Sequence, residues 1–357
     1  MNSLDDFQNF FQIDPQNMLG EINDLPSQLE QAWELGNQLP LPPVGEIRQV
    51  LIAGMGGSAI GADLLGAYLE PLGKAVFVVQ RDYTLPAWAK SKSTLVIASS
   101  HSGNTEETLS VFEQAIEAGC PVAAVCTGGK LAEMAQNKGI PLWQFNHKGQ
   151  PRAAVGFSFG LLLAMLSRLN LLPNPTDELK DAIRAMRDQQ KNLLAEIPVT
   201  SNPAKRLAGQ LIKRWVVIMG SGFLAPVARR WKGQISEISK TWAQFEFLPE
   251  ADHNTLAGVE NPAEMLSKTM IIFLRAKQDH PQNQLRSDLT RQTFMLAGLG
   301  TDYFEAKGET RLAQMWTTLH FGDYASYYLA MAYGVDPTPV PAIESLKLAM
   351  KRASLQK

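Results

Sequence analysis

Two short segments rich in glycine and hydroxyl residues each follow an apolar, strand-like run and precede a helical pattern. They read AGMGGSAIGADLL at residues 53–65 and SSHSGNTEET at residues 99–108. A helix N-terminus offers free N–H groups and a partial positive charge, and glycine lets an anion approach the backbone. A phosphate monoester suits such a site, because its oxygens accept several hydrogen bonds and no lysine is required. The predicted phosphate-binding residues are Gly56, Gly57, Ser58, Ser100, Ser102 and Thr105.

Two other interpretations of these segments are open on the sequence alone. Gly54, Gly56 and Ala59 come close to the dinucleotide-binding pattern G-x-G-x-x-G/A. That pattern also needs an acidic residue at the end of the second strand, where this chain has Gln80. Helix capping by Ser and Thr explains one hydroxyl of the second segment and leaves the others unexplained. Phosphate binding is therefore the favoured interpretation.

The elements around these segments alternate between apolar runs and helix-length stretches, which predicts an α/β fold with doubly wound parallel sheets. We expect a helical extension and linker at 1–45, a first domain at 46–169, a helical connection at 170–203 and a second domain at 204–357. The strand candidates are VLIAG, AVFVVQ, TLVIASS, PVAAVCT and IPLWQF in the first domain, and RWVVIMG, AQFEFLP, KTMIIFLRA and TDYFEA in the second.

The second series of strands begins like the first, with VIMGSGF where the first has LIAGMGG. Gly54 and Gly56 align with Gly220 and Gly222 at one constant offset. Repetition of this kind indicates a duplicated unit.

Composition limits the classes of function. The chain has 357 residues, of which 45% are hydrophobic, enough for two cores. A net charge of −2 gives no general attraction to nucleic acid or anionic lipid, so neither is an expected partner. Cys120 and Cys126 lie in an apolar stretch, which favours free thiols and a cytoplasmic location.

Other features of the sequence argue against membrane insertion, metals and cofactors. The N-terminal MNSLDDFQNF is acidic where a signal peptide would be basic. The uncharged run 153–167 is too short to span a bilayer, and we expect a buried helix there. None of the five histidines forms an i, i+4 pair or lies near a cysteine. We therefore predict no metal and no cofactor.

The two glycine and hydroxyl segments resemble the sugar isomerase (SIS) domain, a flavodoxin-like fold that binds phosphosugars. Four later motifs follow in the order and spacing of the bifunctional phosphoglucose/phosphomannose isomerases, which carry two SIS domains. These motifs are PRAAVGFSFG, RRWKGQISEISK, ADHNTLAGVE and PTPVPAIESLK. The resemblance extends from about Val50 to Arg352. It implies two flavodoxin-like SIS domains with flanking helices, and an isomerase acting on glucose 6-phosphate and, we expect, mannose 6-phosphate, with fructose 6-phosphate as the ketose.

The resemblance also assigns roles for a metal-free reaction through an enediolate. It makes Glu237 the base that moves a proton between carbons, and a partly closed site can raise a carboxylate pKa to suit this. His253 would exchange the ring-oxygen proton, reaching the site from the neighbouring subunit of a homodimer. Lys347 would assist ring opening, and Arg152, which stays protonated, would stabilise the enediolate.

Each of these residues also has an ordinary structural interpretation. Glu237 could pair with Lys240 on a helix surface, and His253 could simply follow a capping acid. Lys347 could be a surface lysine, and Arg152 a charge flanking a buried helix. The chain departs from the family pattern where it has SEIS around Glu237 and His101 between two serines. These departures could change polar contacts beside the base and the packing of the pocket.

Two other classes of function remain as alternatives. A non-catalytic phosphosugar sensor would carry a DNA-binding module, and no basic helix-turn-helix pattern is present. An aminosugar-phosphate isomerase of the amidotransferase type would need a glutaminase domain with a nucleophilic N-terminal cysteine, and residue two is Asn2. Both are disfavoured.

Overall fold

The computed structural model describes residues 2–354, which form nine strands and fourteen α-helices within that range. The strands are β1 (Gln49–Ala53), β2 (Val76–Gln80), β3 (Thr94–Ser100), β4 (Val122–Cys126), β5 (Leu142–Gln144), β6 (Trp215–Ser221), β7 (Ala243–Leu248), β8 (Thr269–Arg275) and β9 (Gly300–Glu305). The helices are α1 (Phe10–Ile13), α2 (Met18–Asn23), α3 (Leu25–Gly36), α4 (Gly56–Leu69), α5 (Glu106–Glu117), α6 (Gly129–Asn137), α7 (Val155–Arg168), α8 (Thr176–Gln190), α9 (Pro203–Leu211), α10 (Ala225–Ile238), α11 (Ala263–Leu266), α12 (Pro281–Leu296), α13 (Arg311–Tyr333) and α14 (Pro341–Ser354).

The strands form two parallel sheets, as the alternating pattern predicted. The first sheet has the order β2-β1-β3-β4-β5, and the second has the order β7-β6-β8-β9. Both follow the flavodoxin-like order, in which the chain reverses direction across the sheet beside the first strand. Ligands of such sheets bind outside the carboxyl ends of the strands at that reversal. In the first sheet, the reversal lies between β1 and β3, where the two glycine and hydroxyl segments begin.

Alternate residues of each strand face different helices. Val50 and Ile52 of β1 lie in a large core shared with α4 and α7, whereas Leu51 and Ala53 pack under α5. In the second sheet, one face joins the large core through α10 and α13, and the other is covered by α12. The large core is therefore a helical layer between the two sheets. It fixes the first glycine segment relative to α10.

The buried helix expected over the uncharged run is α7, whose residues from Val155 to Leu166 are buried. Its glycines allow the N-terminal helix α3 to pack closely against it, since a Cβ on Gly160 would lie 2.6 Å from the Cβ of Ala32. The N-terminal segment contains α1, α2 and α3, and α3 packs on α7 of the first sheet. Among the described residues, no helix is both long and apolar enough to cross a membrane.

Candidate active site

The first glycine segment turns directly from β1 into α4. Gly56 has φ +50°, a left-handed conformation that favours glycine, and Gly57 is the second residue of the helix. A Cβ on Gly57 would lie only 2.4 Å from the carbonyl oxygen of Pro151. Gly57 is therefore required for close packing of this turn against the segment that carries Arg152.

The second segment is organised by its own hydroxyls. The Ser100 and Thr105 hydroxyl oxygens are 2.8 Å apart, and Ser100 Oγ also accepts a hydrogen bond from Gly103 N at 3.1 Å. Ser102 Oγ accepts one from Asn104 N at 3.2 Å. Thr105 stands at the N-cap of α5 but makes no side-chain capping bond. Capping, the alternative interpretation of these hydroxyls, is therefore wrong for Thr105.

A hydrogen bond to a side chain joins the two segments. His101 N donates to Ser58 Oγ at 3.1 Å, which links the start of α4 to the turn after β3. Ser58 and Ser100 are buried, whereas Ser102 is exposed. The structure thus brings the predicted phosphate-binding residues together at one edge of the first sheet.

Arg152 and Glu237 face each other beside these segments. Arg152 Nη1 is 3.5 Å from Glu237 Oε2, with the Arg152 side chain 3% exposed and that of Glu237 34% exposed. Arg152 Nη2 also donates to the carbonyl oxygens of Pro337, at 2.9 Å, and of Thr338. Burial lowers the pKa of Arg152, and the charge of Glu237 opposes this, so the guanidinium stays protonated. A fixed cation therefore lies beside a carboxylate that solvent, and hence a small substrate, can reach.

Helix α10 holds Glu237 in place through a buried ion pair. Arg230 contacts Asp323 of α13 through two hydrogen bonds, of 3.3 Å and 2.8 Å, and both side chains are buried. Burial raises the pKa of Asp323, and the charge of Arg230 opposes this rise. Sequence reasoning missed this pair. The available signal was that Arg230 and Glu237 lie two helical turns apart and so share a face.

Lys240 lies close to the same site but does not pair with the Glu237 carboxylate. Its ammonium donates to the backbone carbonyl of Glu237 at 2.6 Å and lies 3.4 Å from that of Pro337. The surface pairing considered for Glu237 is therefore wrong, because the carboxylate turns to Arg152. Burial, reinforced by the nearby charge of Arg152, lowers the pKa of Lys240 to about 8.

The other two predicted residues lie apart within one chain. His253 ends a short 3₁₀ turn and is exposed, and Lys347 lies on α14, whose residues 341–353 are all exposed. Among residues 2–354, no hydrogen bond or ion pair joins either side chain to Arg152 or Glu237. Asp252, next to His253, is held by Arg286 at 2.9 Å and by Thr290 at 2.6 Å, both on α12.

The repeated glycine turn of the second sheet differs from the first. Gly222 has φ +49°, matching Gly56, but a Cβ there would lie 2.6 Å from a carboxylate oxygen of Asp279. The same carboxylate accepts a hydrogen bond from Ser221 Oγ. A side chain of the protein thus occupies the space beside the second turn. Within the described part of the chain, no group of three or more His, Cys, Asp or Glu side chains is arranged to hold a metal ion.

Comparison with known proteins identifies the class. A family described as bacterial phospho-glucose isomerase C-terminal SIS domain matches residues 200–350. The structure of a glucose-6-phosphate isomerase-like protein from Thermus thermophilus superposes with a TM-score of 0.62, covering 95% of this chain and 99% of that one at 19% identity. The fold is that of the SIS-domain phosphosugar isomerases, as the resemblance implied.

Two relatives define the family more narrowly. A bifunctional phosphoglucose/phosphomannose isomerase from Caldicellulosiruptor bescii is 40% identical over 332 residues, 92% of this chain and 98% of the relative. One from Aquifex aeolicus is 36% identical over 306 residues, 85% and 90% of the two chains. The chain belongs to the bifunctional phosphoglucose/phosphomannose isomerase family, a family of sugar-phosphate isomerases.

Proposed function

We propose that this chain interconverts fructose 6-phosphate with glucose 6-phosphate and mannose 6-phosphate without a metal ion. The observation that carries the proposal is the buried Arg152 facing Glu237 next to the two joined segments that end β1 and β3. The names of the relatives support the substrate class. The close approach of Gly57 to Pro151 supports this placement, since it puts Arg152 next to the phosphate-binding turn.

In this proposal the phosphate lies between the two segments. The N-terminal N–H groups of α4 and α5 and the hydroxyls of Ser58, Ser100, Ser102 and Thr105 hold its oxygens. The backbone of Gly56 and Gly57 allows close approach. Binding the phosphate at this edge directs the open-chain sugar toward Glu237, because the turn at Gly57 packs on the segment that carries Arg152, and Arg152 faces Glu237.

The carboxylate of Glu237 then removes the proton from C2 of the open-chain aldose. In the reverse direction it removes a proton from C1 of the ketose. The electron pair of the broken C–H bond forms the C1–C2 double bond of an enediolate, and Arg152 stabilises the negative oxygen. Glu237 returns the proton to the other carbon, and the hydroxyl proton passes between O2 and O1, so that the carbonyl and the hydroxyl group exchange places. Both C2 epimers arise if the open chain rotates about the C2–C3 bond before the proton returns.

The remaining step is opening of the sugar ring, and our assignment of this step requires a homodimer. We assign it to His253 of the second subunit, with assistance from Lys347. Three leucines with large exposed fractions, Leu285, Leu289 and Leu296, lie on α12, which also holds Asp252 beside His253. A dimer contact over α12 would cover these leucines and bring His253 to an interface.

The proposed sharing of sites is tested by mixing inactive variants. Glu237→Gln and His253→Ala homodimers are each expected to be nearly inactive. If subunits exchange at random, half of the dimers are hybrids with one intact site, so about a quarter of the native activity returns. Activity that stays at the level of the unmixed variants would place His253 and Glu237 in the same subunit's site.

The reaction itself is tested with chelator-treated protein and fructose 6-phosphate in heavy water, followed by proton NMR. Glucose 6-phosphate and mannose 6-phosphate with deuterium at C2 are expected. Glucose 6-phosphate alone would restrict the site to one epimer, and no conversion would refute the proposed activity. We also propose a reducing, cytoplasmic location, since Cys120 and Cys126 are free and buried.

A further inference from the structure

Three ionisable side chains form a hydrogen-bonded chain that ends in the second segment. His101 Nε2 lies 2.9 Å from His147 Nδ1, and His147 Nε2 lies 3.0 Å from Glu21 Oε2. His101 lies between Ser100 and Ser102, His147 follows β5, and Glu21 belongs to α2 of the N-terminal segment. Three distant parts of the sequence therefore meet at one proton-sharing chain.

The surroundings of these three side chains affect the protonation of His101. The His147 side chain is 7% exposed and that of Glu21 is 29% exposed. Burial, reinforced by the charge that His147 can carry, lowers the pKa of His101 to about 4, so His101 is neutral near pH 7. Because a carboxylate can only accept, His147 Nε2 donates to Glu21, and the hydrogen bond between His101 Nε2 and His147 Nδ1 continues the connection.

The hydrogen-bonded side chains are also held in place by packing. A Cβ on Gly149 would lie 2.5 Å from Glu21 Oε1, so the segment leading to Arg152 passes directly against the carboxylate. Phe145 stacks on Phe157 with ring centroids 5.0 Å apart, and the His101 ring meets Phe145 edge-on at 5.9 Å. The His101 ring therefore has a packed apolar side and one polar partner.

The backbone of His101 is also held by hydrogen bonds. His101 N donates to Ser58 Oγ, and its carbonyl oxygen accepts hydrogen bonds from Thr127 N at 2.9 Å and Thr127 Oγ1 at 2.7 Å. Residue 101 is thus held through its side chain, its N–H and its carbonyl. Ser100 and Ser102, which carry the neighbouring hydroxyls, are bonded directly to this fixed residue.

We propose that Glu21, His147 and His101 are positioning residues that fix the segment after β3 for phosphate binding. The N-terminal helix α2 thereby contributes to the affinity for the phosphate group of the substrate. The inference rests on the proposed function, in which this segment binds phosphate. The hydrogen-bonded connection from Glu21 to His101 affects the binding of the substrate's phosphate group and leaves the proton transfer at Glu237 unchanged.

The test compares KM for fructose 6-phosphate, kcat, and the inhibition constant of inorganic phosphate in single variants. Glu21→Ala and His147→Phe are expected to raise KM and the phosphate inhibition constant about three- to tenfold, the range that a lost hydrogen bond produces. The value of kcat should stay within about twofold. Glu21→Gln keeps an acceptor for His147 and should restore most of the affinity.

A matched control is Glu30→Gln, because Glu30 lies on the neighbouring helix α3 and forms an ion pair with Arg187 at 2.7 Å. It removes a carboxylate of the N-terminal segment without touching the chain to His101. Its KM should equal that of the native protein. An equal rise of KM in Glu30→Gln would mean that general loosening of the N-terminal segment is responsible, and would overturn the proposal.

A double variant separates positioning through His101 from loss of packing. In a His101→Phe background, Glu21→Ala should cause little further rise in KM, because the connection is already broken. Equal effects of Glu21→Ala in both backgrounds would refute the proposal.

Ser102→Ala separates a failure of the proposed phosphate site from a failure of the proposed positioning by Glu21, His147 and His101. If it leaves the phosphate inhibition constant unchanged, the proposed phosphate site is wrong; if it raises that constant while Glu21→Ala does not, only the positioning chain is wrong.

Discussion

Replacing Glu237 with glutamine removes the proposed base while keeping the shape of the side chain. General base catalysis contributes about 10²- to 10⁴-fold, so kcat should fall by that factor. The change also affects stability, because Arg152 loses its counter-charge. Breaking a fully buried pair removes about 3–5 kcal/mol and an exposed one about 0–1 kcal/mol. Since Glu237 is 34% exposed and Arg152 keeps two carbonyl acceptors, we expect a loss of about 1–2 kcal/mol.

The assay is the rate of deuterium incorporation at C2 of the aldose products, with urea unfolding measured in parallel. Glu113→Gln is the matched control, because it makes the same change on an exposed position of α5. It should leave both the rate and the stability unaltered. A Glu237→Gln protein that turns over within tenfold of the native rate would refute the assignment of the base. Unchanged stability would refute the energetic role of the pair with Arg152.

Three further predictions concern the supports of the site. Gly57→Ala sets a Cβ 2.4 Å from the carbonyl oxygen of Pro151, and should reduce stability by about 1–3 kcal/mol in urea unfolding and raise KM. Asp323→Asn leaves the buried Arg230 without a counter-charge, and should reduce the free energy of unfolding by about 3–5 kcal/mol; a loss under 1 kcal/mol would contradict this. The pKa of Lys240 is about 8 when folded and about 10.4 when unfolded. The unfolded state therefore binds more protons between these values, and the native protein should gain stability relative to Lys240→Met as pH rises from 8 to 10. A stability difference independent of pH, measured by denaturant unfolding, would argue against the lowered pKa.

The sheets and the glycine turns could be predicted because their causes are local. Buried parallel strands appear as continuous apolar runs, and a glycine turn before a helix appears directly in the sequence. The partner of Glu237 could not be predicted in this way. Lys240 lies three residues further along, just past the end of α10 at Ile238, yet the carboxylate faces Arg152. Arg152 is the more deeply buried of the two cations and therefore needs a counter-charge more.

The supports of the site depend on contacts between distant segments. Arg230 and Asp323 are 93 residues apart, and Glu21 and His147 are 126 residues apart. The sequence does not show which distant residues pair; at most, the spacing of seven residues puts Arg230 on the face of α10 that carries Glu237. The sequence did indicate that His101 departs from the family pattern. Its expected effect was on pocket lining and packing, and the hydrogen-bonded connection to α2 was not anticipated.

The carboxylate of Asp279 beside the turn at Gly222 has a consequence for the two repeated halves. A group tethered to the same chain is present at a high effective concentration, so a free anion competes poorly for the space that it occupies. Removal of the Asp279 carboxylate would leave unfilled space beside Gly222, whereas a free anion could dissociate and bind again. The turn at Gly222 is thus filled by the protein's own carboxylate, whereas the turn at Gly56 has no protein side chain within 4 Å of the corresponding Cβ position.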